Sequence, residues 1–298
     1  MELCRSGIGI DIGGTKILAA LATERGDIVE VIKFDTAKTR SGLLSQLDDV
    51  VGRFTELAFK RGLGTPCGIG IGFPGKVSEQ IVNWVPNLPE LNGLDLGAYA
   101  DERWAIPARL QNDGQLALYG EQWLGAAQRC QHVLMFTLGT GIGGGIMVDG
   151  KVLRGLHGTA GSMGWLTMDM NDAGDPEQGW MERMVSGTGI NRRASMLSTP
   201  MSSRELFDKA SAGDAEAMEL VHQIGYCIGG AVANLASVFD PELVLIGGGV
   251  SSQLDRMMPS IRNAIQRYGS PSTRDVPIAA AKLLEKAGLL GAVKLAFL

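Results

Sequence analysis

The chain has 298 residues, of which 45% are hydrophobic, 20% charged and 6% aromatic, and its formal net charge at pH 7 is -5. This composition is that of a globular protein and not of a disordered chain, and the length suffices for one large domain or two packed lobes. An acidic chain does not offer the basic face with which proteins bind a phosphate backbone, so we expect no nucleic-acid partner.

The four cysteines are widely spaced and include no CxxC pair, which indicates neither a disulfide framework nor a thiolate metal site. No apolar run approaches the length that spans a membrane, and the first predicted strand begins too early for a signal peptide. We therefore expect a cytoplasmic protein without a membrane partner.

The first half of the chain alternates predicted strands and helices. Residues 7–22 predict a strand, a glycine turn and a returning strand, and residues 42–61 have the apolar spacing of a helix. A buried strand over 67–75 ends in a Pro-Gly turn, and residues 108–125 predict a short strand that enters a helix near Asp113.

The second half repeats the opening arrangement, because residues 132–153 again predict a strand, a glycine turn and a strand. Residues 154–190 have no clear periodicity and predict a functional loop. A long helix over 215–239, a buried strand over 242–250 and a final helix over 283–298 follow. The pattern favours an α/β protein with two related halves.

Three glycine turns are candidates for phosphate binding. DIGGT at 11–15 places an acid beside two glycines and a hydroxyl, where backbone N–H groups can hold phosphate and the carboxylate can hold Mg²⁺ through water. LGTGIGGG at 138–145 and GGG at 247–249 are similar turns. Each turn could simply close a pair of elements, but three on one chain favour a nucleotide ligand.

Motifs over nearly the whole chain resemble those of the sugar kinase and actin-like ATPase superfamily, and within it the bacterial ROK family. In chain order they are DIGGTK at 11–16, GFPG at 72–75, PNLP at 86–89, NDGQ at 112–115, LGTGIGGG at 138–145, LIGGGV at 245–250 and AGLLGA at 287–292.

The resemblance implies a two-lobed α/β fold of the actin-like ATPase, or ribonuclease H-like, type with a central cleft. It implies an N-terminal lobe of residues 1–115 plus 283–298 and a C-terminal lobe of residues 116–282. It also implies a homodimer.

The resemblance further implies ATP and Mg²⁺ as cofactors, with Asp11 holding the metal through water. The residues implied to bind the nucleotide are Asp11, Gly13, Gly14, Thr15, Lys16, Gly139, Thr140, Gly141, Gly248 and Gly249.

Asp113 matches the family's catalytic aspartate, which accepts the proton of the attacking sugar hydroxyl. Asn112 and Asn87 match its sugar ligands, and Gly75 and Glu182 are also implied to lie at the substrate. Outside this context, an aspartate at the start of a helix is more often a cap, and each asparagine could be an ordinary turn residue.

The sequence departs from the family at its substrate loop, which reads HGTAGSMGW at 157–165. Ser162 stands where the family has a sugar-binding glutamate, and Trp165 where it has a histidine that binds zinc and contacts the sugar. The family's zinc-binding cysteines are missing too, so we expect no zinc. Trp165 could bind an apolar part of the substrate or could be buried core.

These observations predict an ATP-dependent kinase for a hydroxyl, by analogy the 6-hydroxyl, of a hexose or a derivative such as an amino sugar, glycoside or cyclitol. The alternative is a non-catalytic sugar-sensing or regulatory ROK protein. Retention of Asp113 argues against it, and we expect no DNA-binding module ahead of a hairpin that begins so early.

Overall fold

The computed structural model describes residues 4–78, 80–85 and 88–298. The chain forms two compact units. The first comprises Met1–Gln128, Val152–Ala160 and Glu285–Leu298, and the second comprises Arg129–Lys151 and Gly161–Leu284. Both mix strands and helices, as the sequence predicts. The predicted lobe boundaries, 1–115 plus 283–298 and 116–282, remain a prediction.

The strands are β1 (Ser6–Ile12), β2 (Lys16–Thr23), β3 (Ile28–Asp35), β4 (Ile69–Phe73), β5 (Lys76–Ser78), β6 (Ile81–Trp84), β7 (Leu94–Asp95), β8 (Ala108–Asn112), β9 (Val133–Leu138), β10 (Ile142–Val148), β11 (Lys151–Val152), β12 (Leu243–Gly247) and β13 (Ile278–Ala280). The helices are α1 (Arg40–Lys60), α2 (Leu96–Arg103), α3 (Asp113–Leu124), α4 (Trp180–Val185), α5 (Gly187–Ala194), α6 (Ser203–Ser211), α7 (Ala215–Phe239), α8 (Leu254–Tyr268) and α9 (Ala287–Ala296).

The first unit is built on a five-stranded sheet with the order β3-β2-β1-β4-β8. Strands β1 and β2 are an antiparallel hairpin, while β4 is parallel to both β1 and β8. The isoleucines of β1 and β4 are fully buried in a core shared with one face of α1. Since β1, β4 and β8 run in the same direction, their carboxyl ends lie at one edge of the sheet, where Asp11 and Asn112 are found.

Helix α9 returns to this unit and packs on β1, β4 and α3. The strands carry glycines where the helix approaches. A Cβ on Gly70 would lie only 1.9 Å from the carbonyl oxygen of Ala292, so a larger residue would push helix and sheet apart. The predicted return of the final helix to the first strands is therefore found.

The second unit has a sheet of order β11-β10-β9-β12-β13. Strands β9 and β10 are an antiparallel hairpin, and β12 is parallel to β9, which repeats the arrangement of β1, β2 and β4. Helices α7 and α8 pack closely because α7 presents Gly225 and Gly229 toward α8. The predicted repeat of the opening hairpin is confirmed.

One prediction from the sequence is wrong in part. Residues 154–190 are not irregular throughout, because α4 lies within them and α5 begins there. The two helices are too short for a helical period to be recognised, and α5 also contains Gly187 and Gly189. None of the helices in the described parts of the chain is long and apolar enough to cross a membrane.

Candidate active site

Asp113 is the first residue of α3, directly after β8, as the sequence predicts. The residue that caps the helix is Asn112, whose Oδ1 accepts hydrogen bonds from the backbone N–H groups of Gly114, at 2.9 Å, and Gln115, at 3.4 Å. The Asp113 carboxylate accepts hydrogen bonds from backbone N–H groups, among them that of Gly114 at 2.8 Å. Asn112 is therefore the capping residue, and the Asp113 carboxylate adds a second hydrogen bond to the N–H of Gly114.

Burial raises the pKa of the Asp113 carboxyl to about 6, although hydrogen bonds from backbone N–H groups partly oppose the shift. A carboxylate with a pKa near 6 is largely ionised at neutral pH and more basic than an exposed aspartate. These are the properties of a general base for a hydroxyl group.

Asp11 ends β1 within the same unit. Burial, and to a lesser extent the negative charge of Asp113, raise the pKa of its carboxyl to about 7. A Cβ on Gly72 would lie 3.2 Å from Oδ1 of Asp11, and one on Gly288 would lie 2.7 Å from Oδ2. The carboxylate is thus enclosed by glycine backbone, and a bound cation would favour its ionised form.

The first glycine loop, between β1 and β2, is closed by a hydrogen bond from the N–H of Gly13 to the carbonyl of Lys16, at 2.9 Å. Residues after β3 support it. The Thr36 hydroxyl donates to the carbonyl of Gly13 at 2.8 Å, and Lys38 donates to the carbonyl of Gly14. Thr15 and Lys16 are exposed, so the predicted phosphate loop presents its hydroxyl and ammonium to solvent.

Gly75 follows β4 and lies beside Asn112, whose Nδ2 donates to the Gly75 carbonyl at 3.0 Å. A Cβ on Gly75 would lie 2.2 Å from the Trp84 carbonyl oxygen, so backbone packs directly on backbone here. Among the predicted sugar ligands, Asn112 and Gly75 are therefore neighbours. Asn87 lies outside the described residues.

In the second unit, the structure brings together two of the predicted nucleotide segments. Gly139, Thr140 and Gly141 form the turn between β9 and β10, while Gly248 and Gly249 follow β12, which is parallel to β9 and adjacent to it. Gly248 has a φ of +79°, and a Cβ on it would lie 2.4 Å from the Leu138 carbonyl oxygen. Only glycine fits this contact between the two turns.

The second glycine loop is held by the start of α5. The N–H of Gly187 donates to the Gly139 carbonyl at 2.7 Å, and the Thr188 hydroxyl donates to the Thr140 carbonyl at 2.8 Å. These hydrogen bonds use the carbonyl groups of Gly139 and Thr140 and hold the loop in place.

Glu182, on α4, is tied to the same loop. Its Oε2 accepts a hydrogen bond from the N–H of Ile142 at 2.9 Å, and its Oε1 accepts one from Nε2 of Gln178 at 3.2 Å. A Cβ on Gly141 or Gly164 would lie 3.0 or 3.2 Å from Oε2, so the carboxylate sits between the glycine loop and the substrate loop. Glu182 therefore supports the loop as well as being a predicted sugar ligand.

The two unusual residues of the substrate loop flank a short 3-10 turn, which Ser162 precedes and Trp165 ends. Trp165 is 57% exposed, so the alternative that it fills the core is wrong. Its ring lines a pocket of about 250 Å³ within the second unit, together with Met170, Gln178 and Trp180.

The segment between Trp165 and α4 is held by side chains. Arg183 forms an ion pair with Asp172, with Nη1 at 3.2 Å from Oδ2, and this hydrogen bonding lowers the pKa of the Asp172 carboxyl. Asp169, Asp172 and Asp175 each accept a hydrogen bond from the backbone N–H two residues later. These turns organise the segment without a cysteine.

Five residues support the loops through hydrogen bonds that the sequence does not predict, namely Thr36, Lys38, Gln115, Gln178 and Thr188. Thr188 lies in SGTG at 186–189, a cluster of glycine and hydroxyl residues that signals a further turn at a ligand. Gln115 belongs to NDGQ at 112–115, but the motif does not indicate its contacts, and Thr36, Lys38 and Gln178 belong to no motif, so only tertiary contacts identify these roles.

Comparison with known proteins identifies the family of the chain. The ROK family matches residues 7–297. The chain is 32% identical to a glucokinase from Halalkalibacterium halodurans, over 95% of the chain and 92% of that protein. It is 30% identical to an N-acetylmannosamine kinase from Yersinia pseudotuberculosis, over 96% of each.

Among solved structures, the chain is similar to a ROK family glucokinase from Streptomyces griseus in complex with glucose and AMPPNP. The TM-score is 0.76, the identity is 29%, and the similarity covers 98% of this chain and 99% of that one. The fold is therefore that of the actin-like ATPases. The chain belongs to the ROK family and is an ATP-dependent sugar kinase.

Proposed function

We propose that this kinase transfers the γ-phosphoryl group of ATP to the 6-hydroxyl of a hexose that carries a substituent near its anomeric carbon or at C2. An N-acyl amino sugar or a glycoside has such a substituent. The observation that carries the proposal is the pocket lined by Trp165 beside the position of Glu182.

The size of this pocket favours a substituent and not a whole sugar. Sites that enclose a complete small ligand usually measure about 300–1,000 Å³, whereas this pocket measures about 250 Å³. Gln178 lines it and donates to Glu182, the predicted sugar ligand. A hexose held at Glu182 would have its substituent next to the pocket.

The chemistry of the lining also suits a substituent. The pocket is lined in part by charged residues, namely Asp169, Asp172, Asp175 and Arg183. The rings of Trp165 and Trp180 and the thioether of Met170 offer apolar surface beside them, and tryptophan stacks well on a sugar or an acyl group. A serine at 162 gives up the charged hydrogen bond that a carboxylate would make to a bare hydroxyl. The similarity to both a glucokinase and an N-acetylmannosamine kinase is consistent with either kind of hexose.

In the proposed reaction, the Asp113 carboxylate accepts the proton of the 6-hydroxyl while that oxygen attacks the γ-phosphorus. The bond from phosphorus to the β,γ-bridging oxygen breaks, and ADP leaves with the electron pair. Asn112 keeps Asp113 at the start of α3 by capping the helix. Backbone N–H groups, including that of Gly114 at Oδ1, hold the carboxylate in place.

The residues present fit a Mg²⁺ ion at Asp11. Its carboxylate is enclosed by the glycine backbone and its pKa is raised, so an adjacent cation would stabilise the charged form. Mg²⁺ there would neutralise charge on the transferred phosphoryl group. Gly13, Gly14 and Thr15 would bind phosphate through backbone N–H groups and a hydroxyl.

The proposed function is tested by coupled ADP release with Mg·ATP on glucose, N-acetylglucosamine, N-acetylmannosamine, a methyl glucoside and a cyclitol. Phosphorus NMR of the product locates the phosphate. We expect a higher kcat/KM on a substituted hexose than on glucose, and a strict preference for unmodified glucose would contradict the proposal. We also propose that the protein forms a homodimer. Size-exclusion chromatography with light scattering, which measures the molar mass in solution, tests this.

A further inference from the structure

We propose that Gln115 is a positioning residue that fixes residues 154–160, the entry to the substrate loop, relative to the catalytic base. Its fully buried side chain lies two positions after Asp113 on α3. This inference rests on the proposed function of Asp113 and of the substrate loop, and it deepens that function.

The contacts of the Gln115 amide all point to one segment. Nε2 donates to the Ala160 carbonyl at 2.8 Å and lies 3.3 Å from the carbonyls of both Arg154 and Gly158. Carbonyl oxygens only accept hydrogen bonds, so the amide nitrogen must be the atom that faces them. One side chain thus gathers three backbone carbonyls of an exposed segment.

The local sequence would allow Gln115 another role. With Asn112 as the cap, Gln115 occupies the third helical position, where glutamine commonly bonds back to the N–H of the cap residue. Here the amide turns away from its own helix and bonds to residues 154–160. Local helix stability therefore does not explain its orientation.

Core packing does not explain Gln115 either. Its Oε1 is buried and has no hydrogen-bond partner among the described residues. A buried acceptor without a partner costs free energy, which a methionine of similar size would avoid. The structural contribution of this side chain therefore comes from its amide nitrogen, which contacts three carbonyls.

Other contacts hold residues 154–160 against the rest of the first unit. Nη2 of Arg154 donates to the Leu110 carbonyl on β8 at 3.2 Å. Gly158 has a φ of +72°, and a Cβ on it would lie 1.8 Å from the Val77 carbonyl oxygen. Gln115 bonds residues 154–160 directly from α3, the helix that begins with Asp113, and Tyr119 of the same helix bonds the backbone of Val152. Ser162 and Trp165 follow Ala160 within five residues.

The test compares Gln115→Met with wild type and with Gln128→Met. Gln128 is an exposed glutamine that follows the same helix and donates to a single carbonyl, that of Trp123. We expect Gln115→Met to lower kcat/KM for the sugar by roughly 10- to 100-fold, because small misplacements of substrate carry such costs. The KM for ATP should stay unchanged, and Gln128→Met should behave as wild type.

Hydrogen–deuterium exchange of the peptide over residues 152–160 gives a readout that is independent of activity. It should become faster in Gln115→Met and not in Gln128→Met. Unchanged exchange, or faster exchange with unchanged sugar kinetics, would overturn the inference. If Gln115→Met does not fold, Arg154→Met loosens the same segment from its other side and is judged by the same two measurements.

Gln115→Glu adds a chemical test. It places a carboxylate against three carbonyls when ionised, but a protonated carboxyl can donate one hydrogen bond. Its activity relative to wild type should therefore rise as the pH falls from about 8 to about 6, since burial among carbonyls raises a carboxyl pKa. If wild type phosphorylates no sugar, the proposed function fails, while the exchange measurement still decides whether Gln115 holds the segment.

Discussion

Asp11 and Asp113 interact electrostatically, because the negative charge of Asp113 acts together with the larger effect of burial to raise the pKa of Asp11 to about 7. Asp11 lies near the end of β1 and Asp113 begins α3, and the neighbouring strand β4 carries Gly72, where a Cβ would lie 3.2 Å from Oδ1 of Asp11. Two carboxylates that disfavour each other's charge make a site in which a proton or a divalent cation is held readily. This suits one group to accept a proton and the other to hold a metal.

The first prediction is that Asp113→Asn abolishes sugar phosphorylation. A positioned base contributes about 10²- to 10⁴-fold, and the amide cannot accept the proton. The helix should remain intact because Asn112 provides the cap. Coupled ADP release measures the loss, while isothermal titration shows that ATP still binds. Asp101→Asn, an exposed change on α2, is the control and should leave kcat unchanged.

The second prediction concerns the pH dependence of the reaction. Asp113 must be ionised to act as a base, and its pKa is about 6. The value of kcat/KM for the sugar should therefore fall about tenfold per pH unit below pH 6 and be level above it. A profile that shows no loss down to about pH 5 would argue against Asp113 as the base.

The same shifts predict how the stability of the metal-free protein varies with pH. The pKa values of both carboxyls are raised from 3.8 in the folded state, so the folded protein binds protons more tightly than the unfolded chain. Their contribution is fully present below about pH 4 and is lost as the pH rises through about 6 and 7. Near pH 8 without divalent cation, Asp11→Asn should therefore melt higher than wild type, although it should be inactive.

The residues of the sequence motifs could be predicted from the sequence, whereas the residues that support them through tertiary contacts could not. The glycine turns, Asp11 and Asp113 belong to contiguous motifs whose local structure follows from strand and turn patterns, and β1, β2, β8 and α3 were found within a few residues of the predicted bounds. These features depend on neighbours along the chain.

The supporting residues could not be predicted because their partners are distant in sequence. Gln115 bonds to carbonyls about 40 residues later, and Thr36 bonds to Gly13 over 23 residues. Neither residue type nor spacing signals such contacts. The exposure of Trp165 likewise follows from tertiary structure, since tryptophan in an apolar loop is as consistent with core as with a ligand site.

The third prediction separates the two roles of glycine on α9. A Cβ on Gly288 meets the carboxylate end of Asp11, which can move, whereas a Cβ on Gly291 would lie 1.8 Å from the Leu116 carbonyl oxygen, which cannot. Gly288→Ala should therefore fold normally and raise the Mg²⁺ concentration needed for half-maximal activity. Gly291→Ala should lose about 1–3 kcal/mol or more of stability. Thermal melts and Mg²⁺ titrations distinguish them, and equal losses of stability would contradict this assignment.

The fourth prediction is that the protein contains no structural zinc. Residues 166–185 contain no cysteine or histidine, and the segment before α4 is held by the ion pair between Arg183 and Asp172. A zinc chelator should leave the melting temperature unchanged, whereas Arg183→Met should lower it. Zinc in the purified protein by elemental analysis, at one ion per chain, would contradict the prediction.

The fifth prediction is that Trp165 sets substrate preference. Because its exposed ring lines the pocket beside Glu182 and does not fill the core, Trp165→Ala should leave the melting temperature nearly unchanged. Loss of a stacking surface should lower kcat/KM for a substituted hexose by about 10-fold, a cost of about 1.4 kcal/mol, and should change that for glucose less. Trp104→Phe, which removes an indole bonded to Asp48 in the first unit, is the matched control and should lower both activities equally or neither. Equal losses on both sugars in Trp165→Ala would show that the ring supports the loop and does not recognise the substituent.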